Sequence, residues 1–413
     1  MRRRTRTVIA LIVITLISVI AGSSPASAGS KSGSDETRHH RPEKKVESTR
    51  FATFNASLNR NDAGDLVGEL EAAAAGDITP QVQAVLDIIA INDPDVLLVN
   101  EFDYDDQQRA AELFAGLAGY PHWYTAPSNT GIPSGLDLDN DGATGGPGDA
   151  YGFGFHPGQF GMLVLSKHPI DTNRVRTFQK FLWKDMPGAL LPENPDGSSW
   201  YSDEQLAVFR LSSKSHWDVP IRVERRTVHF LVSHPTPPVF DGEEDRNGRR
   251  NNDEIRFWDD YVGSRRGARY ISDDNGRRGG IGWNRRFVIA GDLNADPNDG
   301  DSVPGAVTQL LDNRWINTKL TPSSEGAVEA AAQGAPNDTH VTEAKFDTAD
   351  FAEAEFGGPG NLRVDYVLPS KLLAINEAGV FWPPSDDPDS ILTGTFPFPS
   401  SDHRLVWVDV RVR

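Results

Sequence analysis

The chain has 413 residues, carries 59 acidic against 41 basic side chains for a formal charge of −18, and contains no cysteine. A surface of that sign repels polyanions at long range, so a phosphate-bearing ligand must be captured locally, by a metal ion or by a few concentrated cations. Without disulfides the fold must rest on its own core or on metals, which a chain of this length can provide.

Taken from the N-terminus, the first 28 residues read as a secretory signal peptide: basic "MRRRTR", apolar Val8 to Gly22, and small-residue Ala26-Ser27-Ala28. The apolar run is shorter than the ~20 residues that span a bilayer, so export with cleavage near Ala28 is expected, and no stable membrane span. Residues 29–48 are polar, charged and Ser-rich, the composition of a disordered linker. Residues 49–413 hold no second low-complexity break and read as one domain, with insertions near 127–160 and 241–286.

Within that domain, "RFATFNAS" is an alternating strand that delivers Asn55. Val82, Val85, Ile88 and Ile89 make one apolar helix face, which Pro94 closes. A four-residue apolar run, Val96 to Val99, delivers Asn100 and Glu101. The first insertion, "SGLDLDNDGATGGPGDAYGFG", places Asp137, Asp139 and Asp141 at alternate positions before Gly142, which is the opening of a calcium-binding loop. Its twelfth position is Gly148 instead of Glu, so it reads either as a weak Ca²⁺ site or as an acidic surface loop. Tyr151, Phe153 and Phe155 follow, as a wall of a site or as an anchor for the loop.

"TVHFLVSHPTPP" is a strand that releases His234 before a proline stop. The second insertion, from 241 to 286, has eleven arginines against ten acids and contains a helix face of Ile255, Trp258 and Val262. Arg249, Arg250 and Arg256 read as candidates for gripping a phosphate, the alternative being a self-paired charged surface. "FVIAGDLNADP" is a buried strand that ends in Asp292 and Asn294; "RVDYVLPS" places Asp365 in a short strand; "SDHRLVWVDVRV" presents Asp402 and His403 just before the last one. Continuous apolar runs read as strands buried on both faces. Strands packed sheet on sheet with helices outside give an α/β sandwich. Five strand ends that supply an amide, carboxylates and two histidines form the set a divalent-metal phosphoester site needs.

From "FNAS", "NE", "GMLVLSKHPI", "SHPTPP", "GDLNADP", "RVDYVL" and "SDHRLV", in that order, the chain resembles the endonuclease/exonuclease/phosphatase superfamily, over roughly residues 49 to 413. Deoxyribonuclease I-like nucleases, inositol polyphosphate phosphatases and bacterial sphingomyelinases belong to that superfamily. The resemblance implies a four-layer α/β sandwich of two packed mixed sheets with the site at one end. It implies that Glu101 binds Mg²⁺ or Mn²⁺, that Asn55 helps position metal and phosphate, and that Asp402 lies close enough to assist. Asp292 would be the base for water, with Asn294 beside it on the phosphate. His403 paired with Asp365 would contact the scissile phosphate, and His234 would support the leaving side or the phosphate. Two departures stand out: Asn100 replaces the frequent Gln before the metal-binding Glu, and Ser57 stands where the AP endonuclease branch carries Asp. The expected activity is therefore hydrolysis of a phosphate ester, whether nucleic acid, inositol phosphate or phospholipid headgroup. A monomer without an obligate protein partner is expected, and a catalytically silent binding module on the same fold is the alternative of a different class.

Overall fold

The computed structural model describes residues 48–282, 285–351 and 358–413. The expected signal peptide, and the expected linker apart from Ser48, lie outside them. The strands in chain order are β1 (Thr49–Asn55), β2 (Val96–Asn100), β3 (His122–Tyr124), β4 (Met162–Ser166), β5 (Arg176–Thr177), β6 (His216–Val223), β7 (Arg226–Ser233), β8 (Arg286–Asp292), β9 (Ala349–Asp350), β10 (Asn361–Leu362), β11 (Asp365–Pro369), β12 (Ala374–Val380) and β13 (Val406–Arg411). Helices α1 (Asp65–Ala74), α2 (Pro80–Asn92), α3 (Arg109–Leu117), α4 (Asp203–Leu206) and α5 (Arg246–Val262) lie between them.

One six-stranded sheet runs β12-β13-β1-β2-β4-β3 and a five-stranded sheet runs β11-β8-β7-β6-β5. Each is mixed, with one parallel pair at its heart: β1 with β2, and β7 with β8. Successive strand residues point to opposite faces, which explains why these runs are apolar throughout. Phe51, Leu98, Phe230, Val288 and Val408 meet between the two sheets. Ala52, Phe54, Leu97 and Val99 turn the other way, against Leu66, Leu70, Val85, Ile88 and Phe114 of α1, α2 and α3. Leu231 and Ile289 turn outward onto Ile255, Trp258 and Tyr261 of α5. The result is the expected helix–sheet–sheet–helix sandwich.

The helix around Val82 and Ile89 forms as the spacing predicts. Thr79 accepts a hydrogen bond from the Val82 amide, Pro80 occupies the first turn, and Asp93 at φ 45° closes the helix before Pro94. Among the described residues no helix is long and apolar enough to cross a membrane.

The charged 241–286 stretch is in part self-paired, Arg246 with Glu244 and Arg256 with Asp253 and Asp260, and its core is α5. Arg250, Asn251, Asn252, Asp253 and Glu254 are buried there. They serve as substitute partners for loop backbone: Asp253 accepts from the Trp183 indole and the Leu190 amide, and Glu254 from the Ser213 and Thr236 amides. Long loops passing over a sheet have backbone groups that must be paired somewhere, and this helix pairs them.

Candidate active site

Because side chains alternate along a strand, the polar residue two steps past the last apolar one stays on the same face. Asn55 follows Phe51 and Thr53, Asp292 follows Val288 and Ala290, and His234 follows Phe230 and Val232, so all three continue the inter-sheet face where it reaches one end of the sandwich. Antiparallel pairing of β8 with β11 sets Asp365 directly opposite Asp292. The chain must then turn away sharply. Ser57, Glu101 and Asn294, each just past one of these ends, hold left-handed backbone at φ 48°, 55° and 51°. Such strain in non-glycine residues concentrates at functional sites. Gly291 is required before Asp292 because a Cβ there would run into the Ser233 carbonyl oxygen of the neighbouring strand.

Two like charges opposed across a ladder repel, and the imidazole of His403 lies between them. Its Nδ1 is 2.9 Å from Asp365 Oδ2 and its Nε2 is 3.6 Å from Asp292 Oδ2. Burial alone would lower the pKa of this ring, but the two carboxylates outweigh burial and hold it well above the ordinary histidine value. Burial likewise pushes the Asp292 carboxyl up, yet His403 and His234 hold it below the usual carboxylate range. Asp365, where burial prevails, is pushed up to about 6. His403 thus lies between two acids that favour its protonated form. His234 differs: its Nε2 is 3.3 Å from Asp292 Oδ2, and burial, reinforced by the nearby Lys214, keeps its pKa below the ordinary value. Asn55 joins the group, its Nδ2 donating to Asp292 Oδ2 at 3.1 Å and to Glu101 Oε1 at 3.2 Å. Asn294 donates its backbone amide to Asp292 Oδ1 at 2.9 Å and fixes that carboxylate from the other side.

Residues that the sequence reading did not single out complete the arrangement. Thr348 donates to Asp365 Oδ2 at 2.9 Å, and Asn59 donates to Glu101 Oε2 at 2.8 Å. Lys214 is the most consequential. It is only 6 % exposed, its side chain makes no hydrogen bond or ion pair among the described residues, and it lies near enough to Glu254, Glu101 and Asp292 to feel their charge. Burial pulls this amine below the usual lysine range while those carboxylates pull it back up. The Lys214 amine faces the neighbouring cavity, where it is available to an anion. Glu254 positions it, accepting from the Ser213 amide at 2.7 Å and the Thr236 amide at 2.7 Å and so tying the Lys214 loop to the His234 loop.

Glu101, half-buried, offers a carboxylate whose two oxygens accept from the Asn55 and Asn59 amide nitrogens, and Asp365 Oδ1 is a buried carboxylate oxygen without a hydrogen-bond partner. That donor chemistry fits a hard divalent cation such as Mg²⁺ or Mn²⁺. Asp292, Asp365 and His403 have ligand atoms within 4.8 Å of one another. Asp402, expected close enough to assist metal binding, is outside that trio; its carboxylate accepts from the Ser401 hydroxyl at 3.3 Å and acts on His403 through charge.

The arginines expected near a phosphate are turned to the scaffold. Arg250 donates to the Leu211, Tyr151 and Arg210 carbonyls, Arg249 to the Leu191 carbonyl, and Arg256 to the Pro187 and Gly188 carbonyls. The Tyr151 ring stacks under Arg210, whose guanidinium carbon is 3.8 Å from the ring centre. In the acidic loop the carboxylates that converge within 4.8 Å are Asp137, Asp139 and Asp149. Asp141, expected as the third, instead accepts from the Ala143 amide, and Asp149 takes its place one residue beyond the twelfth position.

Residues 52–403 match the model of the family described as "Endonuclease/Exonuclease/phosphatase family". Among solved structures, the chain is similar to an endonuclease/exonuclease/phosphatase from Beutenbergia cavernae DSM 12333 at 18% identity and a TM-score of 0.47, covering 88% of this chain and 72% of that one. A family protein from Leptotrichia buccalis C-1013-b shows 14% identity and a TM-score of 0.45, covering 88% of this chain and 100% of that one. Beta toxin from Staphylococcus aureus shows 14% identity and a TM-score of 0.43, covering 87% and 99%. The search of curated proteins finds no match. With the family model spanning the strands from β1 to the His403 loop, the chain belongs to the endonuclease/exonuclease/phosphatase family.

Proposed function

We propose that this chain is an exported, divalent-metal-dependent phosphoesterase that cleaves a phosphodiester or phosphomonoester by in-line attack of water. The observation that carries the reading is the buried Asp292–His403–Asp365 arrangement, with Asn55 linking it to Glu101. Export rests on the signal-peptide pattern of residues 1–28.

In this reading Asp292 Oδ2 takes the proton of the attacking water as its oxygen bonds to phosphorus, and the bond from phosphorus to the alcohol oxygen breaks. His403, kept cationic by its two carboxylates, directs an N–H at the phosphoryl oxygens, where negative charge builds. Asn294 orients Asp292, while His234 holds the other side of that carboxylate. Glu101, with Asn55 beside it, would hold the divalent cation, which would supply charge neutralisation at the phosphoryl group and the departing oxygen. A panel of plasmid DNA, RNA, bis-p-nitrophenyl phosphate, inositol phosphates and sphingomyelin, each with Mg²⁺, Mn²⁺ or EDTA, tests the reading. Turnover of none of them favours a binding module on this fold.

Glu101→Gln keeps the shape of the side chain and removes its charge. The Mg²⁺ concentration giving half-maximal rate is expected to rise, and the maximal rate to fall. A metal titration that overlays the wild-type curve removes Glu101 from the ligands.

We also assign a second cation, Ca²⁺, to Asp137, Asp139 and Asp149, the carboxylates that converge in the acidic loop. The affinity expected of such an incomplete loop is about 10⁻⁴ to 10⁻³ M, as in extracellular modules. Millimolar Ca²⁺ should then raise the melting temperature of the wild type by mass action and leave Asp139→Ala unmoved. Equal shifts in both proteins dismiss the site.

A further inference from the structure

Beside the catalytic cluster lies a cavity of about 820 Å³. This is within the roughly 300–1,000 Å³ of pockets that enclose small organic ligands. Its lining includes Glu101 and Lys214 together with the buried Leu138, Ala150 and Phe209. Phe153 and Phe240, which also line it, are 56 % and 88 % exposed. Large aromatic side chains left in water beside an apolar cavity mark a binding surface.

The cations along this cavity are unequal. Arg246 is paired with Glu244, Arg250 is spent on three carbonyls, and among the described residues only Lys214 in this lining presents a cationic group without a partner. A groove for nucleic acid would track successive phosphates with several basic side chains. One unpaired cation in a lining that joins Leu138, Ala150, Phe153, Phe209 and Phe240 to charged residues such as Asp139 and Asp141 fits a single phosphate attached to an apolar group. Resting on the phosphoesterase reading above, we propose that this cavity is the subsite for the organic part of the substrate, and that the substrate is a phosphate ester of a long-chain alkyl alcohol, with the phosphate at Lys214 and Glu101 and the chain running out between Leu138 and Phe209 to Phe153 and Phe240.

The test is competition against bis-p-nitrophenyl phosphate by methyl, butyl, octyl and dodecyl phosphate below their micelle concentrations, with thymidine 5′-monophosphate as the nucleotide arm. Inhibition constants should fall by about threefold per added methylene until the chain fills the cavity. The double variant Phe153→Ser with Phe240→Ser, both at exposed positions, should flatten that gradient between octyl and dodecyl while leaving inhibition by methyl phosphate, which is too short to reach them, at its wild-type value. Equal inhibition along the series, or tighter inhibition by the nucleotide than by octyl phosphate, overturns the proposal. If neither bis-p-nitrophenyl phosphate nor any other member of the substrate panel is hydrolysed, the phosphoesterase reading fails separately. Calorimetric binding of the same alkyl phosphates then decides this inference: rising affinity with chain length upholds it and equal affinity overturns it.

Discussion

Replacing Asp292 by Asn should lower turnover of a phosphate ester by about 10² to 10⁴-fold, the range typical for loss of a general base. The protein should stay folded. Asp292 and Asp365 share one imidazolium, and removing the first charge leaves His403 neutralised by its 2.9 Å contact with Asp365. An amide at position 292 still accepts from the Asn294 backbone, so the strand end keeps its geometry. What disappears is the acceptor for the water's proton. Single-turnover rates with saturating metal, read beside a melting curve, check this outcome. A variant with near wild-type rates and an unchanged melting curve removes Asp292 from the chemistry.

His403→Ala has a comparable effect on rate by a different route and, unlike Asp292→Asn, an effect on stability. Loss of one preorganised electrostatic donor costs about 10² to 10³-fold. The variant also leaves two carboxylates opposed across the β8–β11 ladder with their shared cation gone. Breaking a buried pair by removing one partner costs about 3–5 kcal/mol, because the remaining charge is uncompensated. The midpoint of urea unfolding should fall accordingly, and burial should then favour protonation of Asp292, removing the base a second time. An unchanged midpoint shows that the triad is not electrostatically coupled as its distances imply.

Asp292 and Glu101 were legible in the sequence for a physical reason. Strands buried on both faces are apolar throughout, so the first polar residue at such an end is conspicuous, and "FVIAGD" or "DVLLVNE" shows where the sheet surfaces. Lys214 was not legible, because "LSSKSHW" looks like an ordinary polar loop and its burial depends on Glu254, forty residues away in sequence. The available signal was the alternating strand that begins immediately after it, the same punctuation at a strand start instead of an end. The charged stretch around α5 misled for a related reason: composition reports that Arg250, Asp253 and Glu254 are ionisable, not that loops elsewhere need their hydrogen bonds. Helices α1 and α3 were hidden by small residues, since "DLVGELEAAA" and "RAAELFAGL" carry few large apolar side chains to reveal a period. The acidic loop shows how a fixed spacing can fail narrowly: the template sought a carboxylate at 148, and the chain supplies one at Asp149.

The measurement closest to the central claim is the rate of p-nitrophenolate release from bis-p-nitrophenyl phosphate by the full chain, first with EDTA and then after Mg²⁺ or Mn²⁺ is restored. A phosphoesterase that works through Glu101, Asp292 and His403 should be silent in EDTA, recover with either ion, and stay silent under both conditions as Asp292→Asn. Release that persists in EDTA, or that Asp292→Asn retains at the wild-type rate, would contradict the account.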